Sequence, residues 1–198
     1  MGMVLACVVS YLIGSIPNGL ILGKLLWNVD LREHGSHNIG ATNAWRTLGK
    51  GPGFLIFLLD LLKGVIGVYL GSIWGETPLA LVLGGIFAII GHSWSLFLRG
   101  KGGKGVATGL GVIAMLMPVP TIIVFLLWLT IVYLTGYVSL GSIVAAAMVP
   151  ILAWAFSAPK EVIGFGLIAA IFIIYRHKAN VGRLLNGTES KIKAGHRG

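Results

Sequence analysis

The sequence predicts an all-α polytopic membrane protein: a helical bundle of seven transmembrane helices, N-terminus outside and C-terminus cytoplasmic, forming a single membrane-embedded domain over residues 1–198. Three observations predict it. Apolar residues make up 56% and charged residues only 11% of the chain, where a soluble surface needs charged residues near a quarter. Mean hydropathy is correspondingly +0.91. Apolar runs recur at the ~20-residue length that crosses ~30 Å of hydrocarbon. Basic residues gather in alternate connections between those runs.

The first three spans are read at about 3–22, 53–75 and 78–98. No basic residue precedes the first, unlike a signal peptide, so it is expected to remain as a span. The next stretch, Val106 to Gly136, would form one helix of ~46 Å, too long for a single crossing. Pro118 and Pro120 interrupt it, because each lacks a backbone donor and disfavours helix before it. Two crossings therefore flank a tight turn, the first of them short. Residues 139–157 and about 160–176 supply the sixth and seventh spans. A five-span bundle is the alternative, since spans four and seven are marginal in length.

Charge orients the bundle. Lys24, Arg32, Arg46 and Lys50 lie between spans one and two, Arg99, Lys101 and Lys104 between three and four, and Arg176, Lys178, Arg183, Lys191, Lys193 and Arg197 in the tail. With seven spans all of these face the cytoplasm. The net charge of +9, from 15 Lys and Arg against 6 acids, points to anionic partners: lipid headgroups, phosphates or carboxylates. Nucleic acid is not an expected partner, since the aromatic residues sit inside the apolar runs. Cys7 stands alone in an apolar segment and reads as an inert buried thiol. No fixed-period repeat is present, and most of the 30 glycines read as helix-packing positions.

Polar chemistry concentrates in "REHGSHNIGATNAWRTLGKG" (32–51), "RGKGGKGVAT" (99–108), "GYVSLGS" (136–142) and "YRHKANVGRLLNGTE" (175–189), all expected on the cytoplasmic face. Spans four and six begin there, and helix N-termini offer free amides and partial positive charge to anions. The segment from Gly102 to Thr108 reads as an anion cradle: glycines admit close backbone approach, Lys104 adds charge, and Thr108 or Ser142 adds a hydroxyl. It is not a nucleotide P-loop, because Gly105 follows Lys104 where Ser or Thr would bind magnesium. Ser36, Asn38, Thr42, Asn43 and Arg46 suit a hydrophilic phosphorylated substrate, and an ordinary solvated loop explains them equally. His177 and Asn180 form an i, i+3 pair, although a helix C-cap accounts for His177 as well. Asp60 and Lys63 inside span two read as a mutual ion pair, and His92 as an interhelical histidine. Glu76 and Glu161 fall on the outer side, away from these groups.

In order along the chain, "YLIGSIPNG", "GSHNIGATNAWRTLG", "GHSWSLFLRGKGGKGVATGLG", "VSLGSI" and "HKANVGRLLNGTE" resemble the acyl-phosphate-dependent glycerol-3-phosphate acyltransferase family of bacterial membranes. His37 departs from it, standing where glycine is expected. The resemblance implies transfer of a fatty acyl group from acyl phosphate to the 1-hydroxyl of sn-glycerol 3-phosphate. The products are lysophosphatidic acid and inorganic phosphate, and the reaction begins phospholipid synthesis. It implies Gly102, Gly103, Lys104, Gly105, Val106, Ala107, Thr108 and Ser142 for the acyl phosphate, and Ser36, Asn38, Asn43, Arg46, Lys101, His177 and Asn180 for glycerol 3-phosphate. Lys104, Ser36, Arg46 and His177 are the expected catalytic set. No metal or cofactor is expected, the location is the bacterial cytoplasmic membrane with the site at its inner face, and one chain supplies every group, so a monomer suffices.

The chemistry agrees. An acyl phosphate is a mixed anhydride with a good leaving group, so positioning and charge stabilisation are the main requirements. No Asp stands five residues after any His, which removes the His/Asp dyad of acyl-CoA-dependent enzymes. A substrate phosphate, with a second pKa of about 6, or His177 is then the base. The competing class is a small anion or lipid transporter, which would place its site near the midplane between repeats. The paired aspartates of a phosphotransferase acting on CDP-activated alcohols are absent from the sequence.

Overall fold

The computed structural model describes residues 1–192 and is all-helical there; Lys193 and Arg197, counted above among the tail residues, lie outside the described residues. Among the described residues, five segments are long and apolar enough to cross a membrane: Gly2–Trp27, Lys50–Gly75, Pro78–Leu98, Pro118–Thr135 and Val138–Ala155. The two marginal spans are where the structure departs from regular crossings. Val106–Leu116 has 11 residues, a rise of only ~17 Å. Lys160–Arg176 has 17 residues and continues, after a 57° bend, into Lys178–Leu185. The described residues divide into two compact units, Met1–Met115 and the residues from Leu116 onward.

In the first unit, α1 (Gly2–Ser15) and α2 (Asn18–Trp27) form the first apolar segment. The expected single run 3–22 is broken at Ile16–Pro17, because Pro17 has no N–H to donate and biases Ile16 out of helical geometry (ψ 117°). The carbonyls released by that break find new donors: the Ser95 hydroxyl reaches Ser15 O at 2.5 Å and the Lys63 ammonium reaches Ile16 O at 2.5 Å. After α3 (Ala41–Thr47) come α4 (Lys50–Gly75) and α5 (Pro78–Ser93), which starts with the Thr77 hydroxyl accepting from Ala80 N–H and Pro78 in the first turn. A 3₁₀ turn, Leu96–Leu98, and a glycine loop lead to α6 (Val106–Leu116).

Helices α1, α4 and α5 pack on one another through bare backbone. A Cβ on Gly84 would strike the Gly67 carbonyl, one on Gly14 the Ala88 carbonyl, and one on Gly91 the Tyr11 carbonyl. Gly64 and Gly111 bring α4 and α6 equally close. Small residues at these positions let membrane helices gain dispersion contacts where no hydrophobic drive separates helix from lipid. Short α3 is held on α4 by Leu31, Ala44 and Ile56, all fully buried.

In the second unit, only Met117 separates α6 from α7 (Pro118–Thr135); the turn is shorter than the one expected over Pro118 and Pro120, because both prolines sit in the first turn of α7, where a missing N–H costs no helical bond. It closes on Gly136, whose left-handed φ of 79° satisfies the last turn. Then follow α8 (Val138–Ala155), α9 (Lys160–Arg176) and α10 (Lys178–Leu185), with α8 packed between α7 and α9. The tail returns to this unit, where Ile192 N–H donates to Gly136 O at 2.9 Å.

Candidate active site

The polar segment between α2 and α3 is organised around Asn43, which is 2% exposed. Its Oδ1 accepts the Ser36 N–H at 2.9 Å, and its Nδ2 donates to the carbonyls of Leu31, His34 and Asn38 at 2.8 to 3.0 Å. Asn43 thus shapes the loop and presents Ser36, an exposed residue, from it. Asn38 Oδ1 accepts Gly40 N–H at 2.8 Å and so turns the chain into α3, whose last turn carries Arg46, half-buried. Gly35 and His37 both lie in the left-handed region, with φ 59° and 56°. His37 therefore adopts the backbone that glycine takes without strain, and its Nδ1 lies 2.9 Å from the Arg32 carbonyl. Nearby, two hydrogen bonds from Arg32, at 2.9 and 2.6 Å, and Lys24 at 3.0 Å hold Asp30 far below the usual carboxylate range.

The second polar segment doubles back on the end of α5. Arg99 and Gly100 take positive φ, Gly102 N–H donates to Ser93 O at 3.1 Å, and Gly103 N–H to His92 O at 3.0 Å. Two of the amides expected to face an anion are thus spent on folding the loop. The donors at its far end differ: Gly105 (φ 82°) leads into α6, and the first amides of any helix have no partner within it. The Thr108 hydroxyl in that first turn is fully buried and has no hydrogen-bond partner among the described residues. Lys104 is half-buried and Lys101 exposed, both within this loop.

In the second unit Ser142 is 3% exposed, donating to Val138 O at 2.8 Å and accepting from the Trp128 indole at 3.3 Å. His177 caps α9 and starts α10. Its Nδ1 lies 2.8 Å from the Ile173 carbonyl, which can only accept, so Nδ1 carries a proton. Asn180 donates to Glu189 Oε1 at 2.7 Å, as does the Ser139 hydroxyl, also at 2.7 Å. Arg183 Nε holds Oε2, again at 2.7 Å. Burial raises the Glu189 pKa, but these three donors outweigh it and leave the group below its ordinary value. The sequence gives no sign of this hub, because one acid in a cationic tail reads as solvated.

Asp60 and Lys63 form the expected pair, Nζ to Oδ1 at 2.8 Å; His92, expected as a hydrogen-bonded interhelical histidine, faces the same carboxylate oxygen from α5 with its Nδ1 at 3.7 Å, beyond hydrogen-bond distance.

Comparison with known proteins gives one answer. Residues 4–187 match the family described as Glycerol-3-phosphate acyltransferase. A protein of that name from Desulforamulus reducens is 45% identical over 183 residues, 92% of each chain. Glycerol-3-phosphate acyltransferase 2 of Moorella thermoacetica is 47% identical over 188 residues, covering 95% of this chain and 96% of that one. Among solved structures, the integral membrane acyltransferase PlsY in its glycerol 3-phosphate form aligns over 96% of both chains with 38% identity and a TM-score of 0.91. Its lysophosphatidic acid form aligns over 96% and 95%, with 36% identity and a TM-score of 0.89. With bilayer-length helices, a glycine loop opening α6 and relatives alike from end to end, the chain belongs to the PlsY family of integral membrane glycerol-3-phosphate acyltransferases.

Proposed function

We propose that this enzyme transfers a fatty acyl group from acyl phosphate, not acyl-CoA, to the 1-hydroxyl of sn-glycerol 3-phosphate, at the inner face of the bacterial cytoplasmic membrane. The observation that carries the donor assignment is the start of α6, where helix-end amides, the buried Thr108 hydroxyl and Lys104 lie together in one short segment. That set suits a phosphate and offers no magnesium ligand of the nucleotide-binding kind. Gly102 to Thr108 and Ser142 serve the acyl phosphate. Ser36, Asn38, Arg46, Lys101, His177 and Asn180 serve glycerol 3-phosphate, with Asn43 acting through the loop it shapes. The positive-inside rule supports seven membrane segments with the N-terminus outside, α6 and α9 among them.

In the reaction the 1-hydroxyl oxygen attacks the acyl carbon. The C–O bond to phosphate breaks, its electron pair leaves with the phosphate, and cations and amides stabilise the charge that develops. The hydroxyl proton passes to a substrate phosphate, whose second pKa of about 6 suits neutral pH. His177, whose Nδ1 is held by Ile173 O, is the alternative base.

The test mixes purified protein with glycerol 3-phosphate and either a long-chain acyl phosphate or the matching acyl-CoA, and measures lysophosphatidate. Product from acyl phosphate alone is expected. Product from acyl-CoA alone, or from neither, overturns the reading.

A further inference from the structure

We infer that His92 is a positioning residue for the glycine loop, and that the Asp60–Lys63 pair sets the ring that does the positioning. The inference rests on the reading that this loop holds the donor phosphate. Gly102 and Gly103 meet His92 twice. Their amides donate to Ser93 O and His92 O, and the chain then runs against the imidazole itself. A Cβ on Gly103 would collide with His92 Nε2, with Cε1 and Cδ2 next at 2.9 and 3.0 Å. A Cβ on Gly102 would collide with the His92 carbonyl oxygen. Gly103 is therefore required by one side chain, and Lys104 follows it directly.

The other edge of the ring faces a charge. Nδ1 lies 3.7 Å from Asp60 Oδ1, beyond a hydrogen bond but within strong electrostatic reach of a carboxylate in a buried site. That oxygen also receives Lys63 Nζ at 2.8 Å and Asn18 Nδ2 at 3.2 Å, and Lys63 continues to Ile16 O. Asp60, Lys63 and His92 are 3%, 4% and 5% exposed. Hydrogen bonds thus run from the α1/α2 break through Lys63 to Asp60, and the His92 ring lies between that carboxylate and the loop. Helix packing alone would be served by apolar residues, since a buried ion pair gives little net stability. What the pair adds is orientation: a fixed dipole on a ring whose far edge defines the path of Gly103.

The experiment is a double-mutant cycle on the full-length enzyme in detergent micelles, with KM and kcat measured separately for palmitoyl phosphate and glycerol 3-phosphate, and thermal unfolding as the folding control. Gly103→Ala is expected to raise the KM for palmitoyl phosphate by about tenfold while leaving that for glycerol 3-phosphate within about twofold. Adding His92→Ala, or His92→Asn if the alanine variant does not fold, makes room for the new methyl and should recover most of that loss. Asp60→Asn combined with Lys63→Met removes both charges together, and should keep the unfolding temperature while raising the palmitoyl phosphate KM about threefold or more. Gly103→Ala without effect on either substrate would overturn the cradle reading itself. A Gly103→Ala defect that neither His92 substitution relieves, or a paired Asp60/Lys63 replacement with unchanged KM values, would leave the cradle standing and overturn the positioning role.

Discussion

At the scale of single residues, the side chains with the richest hydrogen bonding shape the polar loops and are buried, and the residues they hold in place are more accessible. Asn43 joins four backbone groups and is buried, whereas Ser36, which its carbonyl oxygen holds in place, is exposed. Truncating Asn43 strands those groups at about 1–3 kcal/mol for each that finds no water. Asn43→Ala should therefore lower the unfolding temperature and raise the KM for glycerol 3-phosphate together, while Ser36→Ala should reduce turnover with the unfolding temperature unchanged. Differential scanning fluorimetry beside steady-state kinetics separates the two. Lys104 is the cation closest in sequence to the first turn of α6, and Lys104→Ala should lower kcat/KM for acyl phosphate by about 10²–10³-fold, as loss of a preorganised charge does elsewhere. An unchanged rate would remove the loop from the mechanism.

At the scale of elements, glycines and prolines decide where backbone meets backbone. Gly84 against Gly67 leaves no volume for a side chain, so Gly84→Leu should cause failure of α4/α5 packing, seen as loss of the folded monodisperse species on size-exclusion chromatography. The element that reads least clearly in the sequence is α10 with the tail behind it. Its residues are polar, and its attachment depends on Glu189, whose partners lie as far as 50 residues away. Because the folded pKa of Glu189 is depressed, the stability it contributes is fully present above the ordinary glutamate value and is lost as pH falls through the lower folded one. Unfolding temperature should therefore drop on acidification below the usual carboxylate range, and Glu189→Gln should flatten that slope while lowering stability at neutral pH.

At the scale of the whole molecule, hydropathy and charge made most of the helices legible. The apolar runs at 53–75, 78–98 and 139–157 reappear as α4, α5 with its 3₁₀ extension, and α8, each shifted by a few residues. Pro118 correctly ends one helix and starts another. The break at Pro17 was less legible, because the apolar pattern runs through it and only the donors from α4 and the loop after α5 make a broken helix tolerable there. Of the candidate site, the polar segments and the glycine loop were readable, since they interrupt the apolar runs. The internal bonds of Asn43, Ser142 and Asn180 were not, because each partner is a backbone atom or a distant side chain that periodicity does not reveal. Orientation is tested directly: a single cysteine placed near residue 2 in a Cys7→Ser background should react with a membrane-impermeant maleimide in intact cells, and one placed near residue 101 only after permeabilisation.

The attachment of Glu189 also has a consequence in time. Ser139 leaves the ribosome 50 residues before the carboxylate that fixes it, and Asn180 nine residues before. At about 5–20 residues per second, the interval for Ser139 is a few seconds. During that interval α8 has already been made but its first turn lacks the acid that secures it. The first turn of α8 is thus secured only after α9, α10 and Glu189 have all been made, so this contact closes late in the second unit although one of its partners is made early.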